Sequence, residues 1–330
     1  MKQGKTLLVL LVLLILCGGV YLALRSYNEN QEDVDDTIYL TDLGEVTSLS
    51  FTGTDGSDLS FTKADDVWTW NGDSTFPADQ DALDALAEDL SQLATVRVFD
   101  EPDSLDAYGL DAPALSCTAS NADGDSVTVL LGDKVDSNTY AMVEGESRVA
   151  TVAATLADEL QVSLMDLAEP ENIPDVTQGT LSSIRWQSGD TDLLLEKETI
   201  TEETTDDSGE ATTNTTYAWT VNGADIPEDN STLNDLISEL TYLYFTSCYD
   251  YKADADTLAS CGLDDPSLLT MTEEDGTVIT LSIGSTTDDG GYYYAILDDS
   301  SAIHRLSVSV VETLTGLTQD QLTAEPESAE

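Results

Sequence analysis

One histidine, His304, is the only imidazole in the chain, so any catalytic unit that needs one must use it. A Ser-His-Asp or Cys-His unit wants a nucleophile and an orienting acid around that ring. The residues beside His304 carry no such motif. Ile303 and Leu306 instead predict a strand with His304 at an exposed position. Zinc sites want clustered Cys and His. The four cysteines stand apart at 17, 117, 248 and 261. Cys248 and Cys261 are a candidate disulfide outside the cell, with Cys117 left odd; two buried free thiols are the alternative. No P-loop or dinucleotide fingerprint occurs. Asn121-Ala-Asp123-Gly-Asp125 spaces oxygens at alternate positions, but its Gly124 is fourth where an EF-hand loop wants the sixth, so a hairpin turn explains it better. Paired carboxylates can hydrolyse glycosides, yet among 65 acids pairs carry no information. Trp68, Trp70, Trp186, Trp219 and Tyr292-Tyr293-Tyr294 could stack on sugars; core filling is the plainer role for Trp68 and Trp219. No cofactor and no metal are expected.

The elements that would position such residues come in duplicate. Leu105-Asp-Ala-Tyr-Gly-Leu-Asp-Ala-Pro113 returns as Leu258-Ala-Ser-Cys-Gly-Leu-Asp-Asp-Pro266. Asp103-Ser104 and Asp256-Thr257 are N-cap types that open one helical turn. Gly109 and Gly262 are predicted at the left-handed C′ position, which pairs Leu110 with Leu105 and Leu263 with Leu258 as in a Schellman ending. Asp111 and Asp264 follow, and Pro113 and Pro266 hold the chain extended into a strand. The motif predicts a capped turn rather than a binding loop.

The surrounding text recurs in the same order. After Phe76-Pro77, Leu83, Leu86, Ala87, Leu90 and Leu93 mark one helical face; after Ile226-Pro227, Leu233, Leu236, Ile237, Leu240 and Leu243 repeat it. Strands are predicted at 46–51, 59–63, 67–70, 114–120, 127–131, 139–143 and 148–152, and again at 181–186, 192–197, 217–221, 268–272, 278–283, 292–297 and 302–306. Asp123-Gly124 and Asp275-Gly276 turn matching hairpins, and Gly132 and Gly284 end the strands that follow. Short amphipathic helices at 153–160 and 308–314 close the units. The fold class is α+β: an N-terminal transmembrane helix, then two tandem repeats of a mostly antiparallel sheet with one main amphipathic helix.

Charge and hydropathy bound the rest. Lys and Arg number 11 against 65 Asp and Glu, a net charge of −54, and Lys2, Lys5 and Arg25 lie at the apolar start. Such a surface repels nucleic acid. Residues 6–24 are long enough to cross a bilayer and contact its lipid, and the lysines before them place the N-terminus in the cytoplasm. A cleaved signal peptide is the competitor, but no small-x-small site follows, and Leu16 spoils a lipobox at Cys17. The expected organisation is a cytoplasmic stub at 1–5, the membrane helix at 6–24, an acidic spacer at 25–45, repeat 1 at 46–167, a linker at 168–180, repeat 2 at 181–317 with a disordered insert at 198–216, and a disordered tail at 318–330.

The basic start and apolar run, the Trp-rich approach to the helix, the Tyr-Gly-Leu-Asp-x-Pro turn and the Asp-Gly hairpin ending in Leu-Gly-Asp resemble the bacterial domain-of-unknown-function 4340 family. The resemblance covers about residues 46–317, twice over, and departs at Cys261 and in the long insert. It implies a membrane-anchored envelope protein that accompanies ABC-transporter components similar to those of gliding-motility systems. It supplies no catalytic residue. The expected function is therefore a non-catalytic extracytoplasmic accessory or binding module of a transporter or envelope complex in the cell membrane. A cell-wall carbohydrate enzyme using paired carboxylates and a passive acidic spacer are the rivals.

Overall fold

A strand with apolar residues on both sides needs a partner layer on each face of its sheet, and both sheets of this chain meet that need in the same way. The computed structural model describes residues 37–99, 101–205 and 211–325. The expected stub and membrane helix lie outside them. Among the described residues no helix is long and apolar enough to cross a membrane.

The first unit runs β1 (Val46–Thr52), β2 (Asp58–Ala64), β3 (Val67–Trp70), α1 (Gln80–Ser91), β4 (Arg97–Phe99), a 3-10 turn (Leu105–Tyr108), β5 (Leu115–Asn121), β6 (Ser126–Val135), β7 (Asn138–Val143), β8 (Val149–Ala153), α2 (Thr155–Glu159) and a second 3-10 turn (Leu164–Leu167). The second runs β9 (Leu181–Ser188), β10 (Thr191–Thr205), β11 (Ala211–Val221), β12 (Ala224–Ile226), α3 (Ser231–Thr241), β13 (Phe245–Asp250), α4 (Ala255–Ser260), β14 (Ser267–Glu273), β15 (Val278–Thr286), β16 (Tyr292–Leu297), β17 (Ile303–Ser307), α5 (Val308–Gly316) and α6 (Gln319–Thr323). The sheets have the orders β3-β2-β1-β5-β6-β7-β8-β4 and β12-β11-β10-β9-β14-β15-β16-β17-β13. The second order is the first with β12 added at one edge. Every neighbouring pair is antiparallel.

One face of each sheet packs under the main helix. Asp79 caps α1 by accepting from the Ala82 N–H at 3.0 Å, and Asn230 caps α3 by accepting from Leu233 at 2.9 Å. Leu83, Leu86, Ala87 and Leu90 meet Leu49, Phe61, Val129, Leu131, Ala141 and Val152. Side chains alternate along a strand, so Leu130, Tyr140, Met142 and Val149 emerge on the other face. There they are covered by Tyr108 and Leu110 from the recurring turn. Cys261 and Leu263 do the same for Tyr294 and Ile296. The turn is thus the second cover.

Its geometry is the expected Schellman ending. Gly109 and Gly262 have φ of 68° and 70°. The Leu110 N–H reaches the Leu105 carbonyl at 2.9 Å, and Leu263 reaches Leu258 at the same distance. Asp111 and Asp264 are exposed, with Pro113 and Pro266 half-buried beyond them. The start differs in repeat 2. Asp254, not Asp256, caps α4 through the Thr257 N–H at 2.8 Å, so the helix begins two residues early. Gly132 and Gly284 do not end strands, since β6 and β15 run on past them through register shifts. A Cβ on Gly132 would run into the Tyr108 carbonyl, and one on Gly284 into that of Cys261. Bare backbone there lets the turn settle on the sheet.

Three other expectations give way to ordered backbone. The end of the acidic spacer at 25–45 packs down: Leu40 and Thr41 are buried, and the Thr41 hydroxyl donates to the Leu90 carbonyl at 2.8 Å at the open end of α1. The insert at 198–216 is strand on both sides of residues 206–210, because the β10–β11 ladder pairs without a break from Leu195↔Val221 to Thr205↔Ala211. Its Thr-rich composition suits a pleated ribbon as well as a solvated loop. The tail at 318–330 starts with α6, which carries a Thr318/Gln321 capping box and the fully buried Leu322. It mirrors the turn after α2, where Ser163 and Asp166 form the same box.

The close approach has a consequence for unfolding. Gly132→Ala or Gly284→Ala should lose about 1–3 kcal/mol of stability in urea titrations. Gly316→Ala, at the end of α5 with open space around it, should be neutral or slightly stabilising. Equal midpoints for the Gly132 and Gly316 variants would contradict the packing of turn on strand.

Candidate functional site

Two residues that occur in one repeat only, Cys248 and His304, meet at the seam between the units. Cys248 on β13 is the ladder partner of His304 on β17; the same places in repeat 1 hold Val98 and Ala150, which also pair. His304 is not exposed, as its strand neighbours suggested, but 1% accessible. Its ring stacks on Phe245 with centroids 4.4 Å apart. Nε2 lies 3.0 Å from Oε2 of Glu171, whose other oxygen accepts from the Ser300 hydroxyl at 2.7 Å. Nδ1 is buried with no partner. Burial lowers the imidazole pKa, and the hydrogen bond and charge of Glu171 push back against that.

Glu171 belongs to the segment 168–180, which is packed rather than a free linker: Ile173 and Val176 are buried against the second core. A second bridge joins the units at the sheet edge. Tyr251 meets Phe76 edge-on at 5.2 Å and donates to Asp73 at 3.2 Å, and the Lys252 ammonium lies 3.2 Å from the same carboxylate. Hydrogen bonds from Thr75 chiefly, then from Lys252, hold Asp73 well below the usual carboxylate range. Cys248 itself packs with the core of repeat 1.

The chemistry available here is limited by protonation and access. Burial pushes the Cys248 thiol up to about 11 and Cys117 up to about 12, so neither is a thiolate at neutral pH. The Cys248 thiol faces the Ile303 carbonyl at 3.8 Å. Cys248 and Cys261 are unbridged and belong to different clusters, which removes the candidate disulfide. Cys261 stands where repeat 1 has Tyr108 and packs in the matching cluster with Tyr294. Ser300 donates to Glu171 and not to the imidazole, so no nucleophile–base pair forms.

Carboxylates do converge elsewhere. The carboxyl pKa values of Asp89 on α1 and Glu159 on α2 are both raised, first by burial. In Glu159 the charge of Asp89 adds to the rise. Glu239, which matches Asp89 on α3, lines a broad hollow of about 530 Å³ together with Glu312 of α5. Among the described residues no three His, Cys, Asp or Glu side chains come together as a metal site. The Asn121–Asp125 turn spends its oxygens internally: Asn121 Oδ1 accepts from the N–H groups of Asp123 and Asp125 at 3.1 and 2.9 Å.

Sequence reasoning missed Glu171, Tyr251 and Lys252. Only the two prolines around Glu171 hinted that the segment is held extended. The equivalence of Val98 with Cys248 and of Ala150 with His304 can be read from the order of the repeated text.

The lowered pKa of His304 gives a signed expectation. Neutral His304 adds stability that is fully present above its unfolded value of about 6.5 and is lost as pH falls through the depressed folded value. Urea titrations at pH 7.5 and pH 5.5 should therefore show a larger acid loss in the native chain than in His304→Phe. Identical pH dependence in both would contradict the buried neutral imidazole.

The profile of one protein family, described as a domain of unknown function (DUF4340), matches residues 68–218 and 219–320. The two matches begin at Trp68 and Trp219, the tryptophans that occupy the same place in the two sheets, so the profile follows the duplication. No curated protein and no solved structure matches. The chain belongs to the DUF4340 family, as two tandem copies of its domain.

Proposed function

We propose that the chain is a single-pass, membrane-anchored extracytoplasmic module that binds a partner in a transporter or envelope complex and carries out no chemistry itself. The observation that carries this reading is the fate of the reactive side chains. His304, Cys117, Cys248 and Cys261 are all buried, and they hold cores and the seam. What repeat 2 adds at its surface suits contact instead. Tyr242 and Tyr244 are 77% and 69% exposed where repeat 1 has Gln92 and Ala94. The β10–β11 ribbon extends well beyond its neighbours. The apolar run at 6–24 supports the anchor, and the lysines before it support the orientation. The acidic surface supports cationic partners. The family resemblance favours ABC-transporter or other envelope components as those partners.

Burial raises the carboxyls of both Asp89 and Glu159, the direction a general acid needs, which favours a second reading, hydrolysis of cell-wall carbohydrate.

Crosslinking in native membranes, followed by mass spectrometry, separates the two. Defined envelope proteins should be captured through Tyr242, Tyr244 or residues 199–205, and the N-terminal peptide with Lys2 or Lys5 should remain on the membrane-bound protein. A chain that begins after residue 24, or that releases reducing sugars from cell wall until Asp89→Asn stops it, would overturn the proposal.

A further inference from the structure

The two repeats treat one tryptophan differently. In repeat 1 the Trp68 indole N–H donates to Asp84 at 2.7 Å, and Lys63 lies 2.6 Å from the same oxygen. The matching residue in repeat 2 is Trp219, and Asn234 takes the place of Asp84. Trp219 is 3% exposed, and its indole N–H has no acceptor. Trp219 and Asn234 line one pocket of about 180 Å³, with Ile200, Tyr217, Pro227 and Leu233 among its walls. Ile200 and Tyr217 come from the ribbon that repeat 1 lacks. Drug-sized ligands occupy about 300–1,000 Å³, so this pocket suits a single side chain.

An open strand edge runs beside it. Asn222 and Gly223, with φ of 49° and 80°, make a two-residue hairpin loop between β11 and β12. Such a loop is closed by a hydrogen-bonded pair, here Val221 with Ala224. The backbone polar groups of Val221 and Trp219 therefore face β12. By the same alternation those of Tyr217, Thr215 and Thr213 face that side too, where β12 has ended and no strand pairs with them among the described residues. Lys and Pro usually blunt such an edge, and neither occurs in residues 211–218. Repeat 1 has no counterpart of this open stretch, since β3 begins at Val67, and at the place where Trp219 pairs with Ile226 of β12 it uses a side chain. Gln80 accepts from the Trp68 N–H at 2.7 Å and donates to the Trp68 carbonyl at 3.1 Å, as a neighbouring strand would.

We propose that the outer edge of β11 takes up an extended, cationic polypeptide segment as an added strand and seats in the Trp219 pocket one side chain whose amide oxygen accepts from the indole N–H. Exposed Glu198, Glu202, Asp225, Glu228 and Asp229 around the edge select for positive charge. The same charge, with −54 on each chain, disfavours a second copy as the occupant. Strand addition supplies main-chain hydrogen bonds, and the pocket supplies side-chain choice. The proposal rests on the reading of the chain as a binding module and names the chemistry of its partner.

The full chain in detergent micelles, titrated with the capped pentapeptide Lys-Gln-Lys-Gln-Lys, tests it. Calorimetry should detect saturable binding, and amide exchange at Thr213, Thr215 and Tyr217 should slow. Asn234→Asp gives Trp219 the acceptor that Trp68 has. It should weaken binding by about tenfold or more, although the added negative charge alone would tighten it. Thr215→Pro removes an outward N–H without breaking the β10–β11 ladder, and it should abolish protection while leaving the unfolding midpoint in place. Penta-lysine that binds equally well, protection absent at β11, or Asn234→Asp binding as tightly as the native chain would each overturn the site. A neutral sugar that displaces the peptide would assign the pocket to a small molecule instead. Failure here alongside successful crosslinking through Tyr242 and Tyr244 would leave the module reading standing without this edge.

Discussion

A sheet with apolar residues on both faces must be covered twice, and each repeat has only one long helix. Eight strands about 4.8 Å apart make a surface far wider than a helix of about 10 Å. The helix face built on Leu83, Leu86 and Leu90 covers one side of the first sheet. The Leu105–Leu110 turn covers part of the other, over Leu130, Tyr140, Met142 and Val149. Everything else in the motif follows from placing a short turn flat on a strand. Gly109 reverses the chain, Gly132 lets the carbonyl of Tyr108 approach, and the Leu105–Leu110 bond holds the turn closed.

Duplication preserved this arrangement and varied the edges. The strand orders agree, and both units end with a capping box and a buried leucine near the start of the main helix: Leu167 with Ser163, Leu322 with Thr318. The differences lie where a sheet stops. Repeat 1 closes its outer edge with Gln80, whereas repeat 2 adds β12 and lengthens β10 and β11. At the opposite edge of the second sheet, His304 and Cys248 replace Ala150 and Val98 and lie against Glu171 and the first core. One edge of repeat 2 lies against the first unit, and at the other β12 covers only Trp219–Val221 of β11.

Much of the architecture was legible because it repeats. Two helical faces in step, two Tyr/Cys-Gly-Leu-Asp turns and two Asp-Gly hairpins define one unit without any structure. Composition misled where it was used alone. The Thr- and Glu-rich stretch at 198–216 and the acidic end at 318–330 look solvated, yet residues 198–205 and 211–216 pair as a ladder and Leu322 joins the core. Polar β-branched residues serve a two-stranded ribbon, and a single leucine behind a capping box is enough to dock a short helix. His304 went wrong for a different reason. Its burial depends on Glu171 and Phe245, and no local pattern reveals a contact across 133 positions. The family profile adds the duplication and no chemistry, so functional meaning rests on the places where the copies differ.

The central claim is that the recurring turn is a core layer and not a loop. Leu110 tests it most directly, since it is 2% exposed but lies outside any helix or strand. Urea unfolding of Leu110→Ala should show a loss of about 2–5 kcal/mol, the range for a leucine removed from a packed interior, and should match Leu90→Ala beneath the main helix. A loss below about 0.5 kcal/mol, typical of a surface position, would contradict the two-cover account.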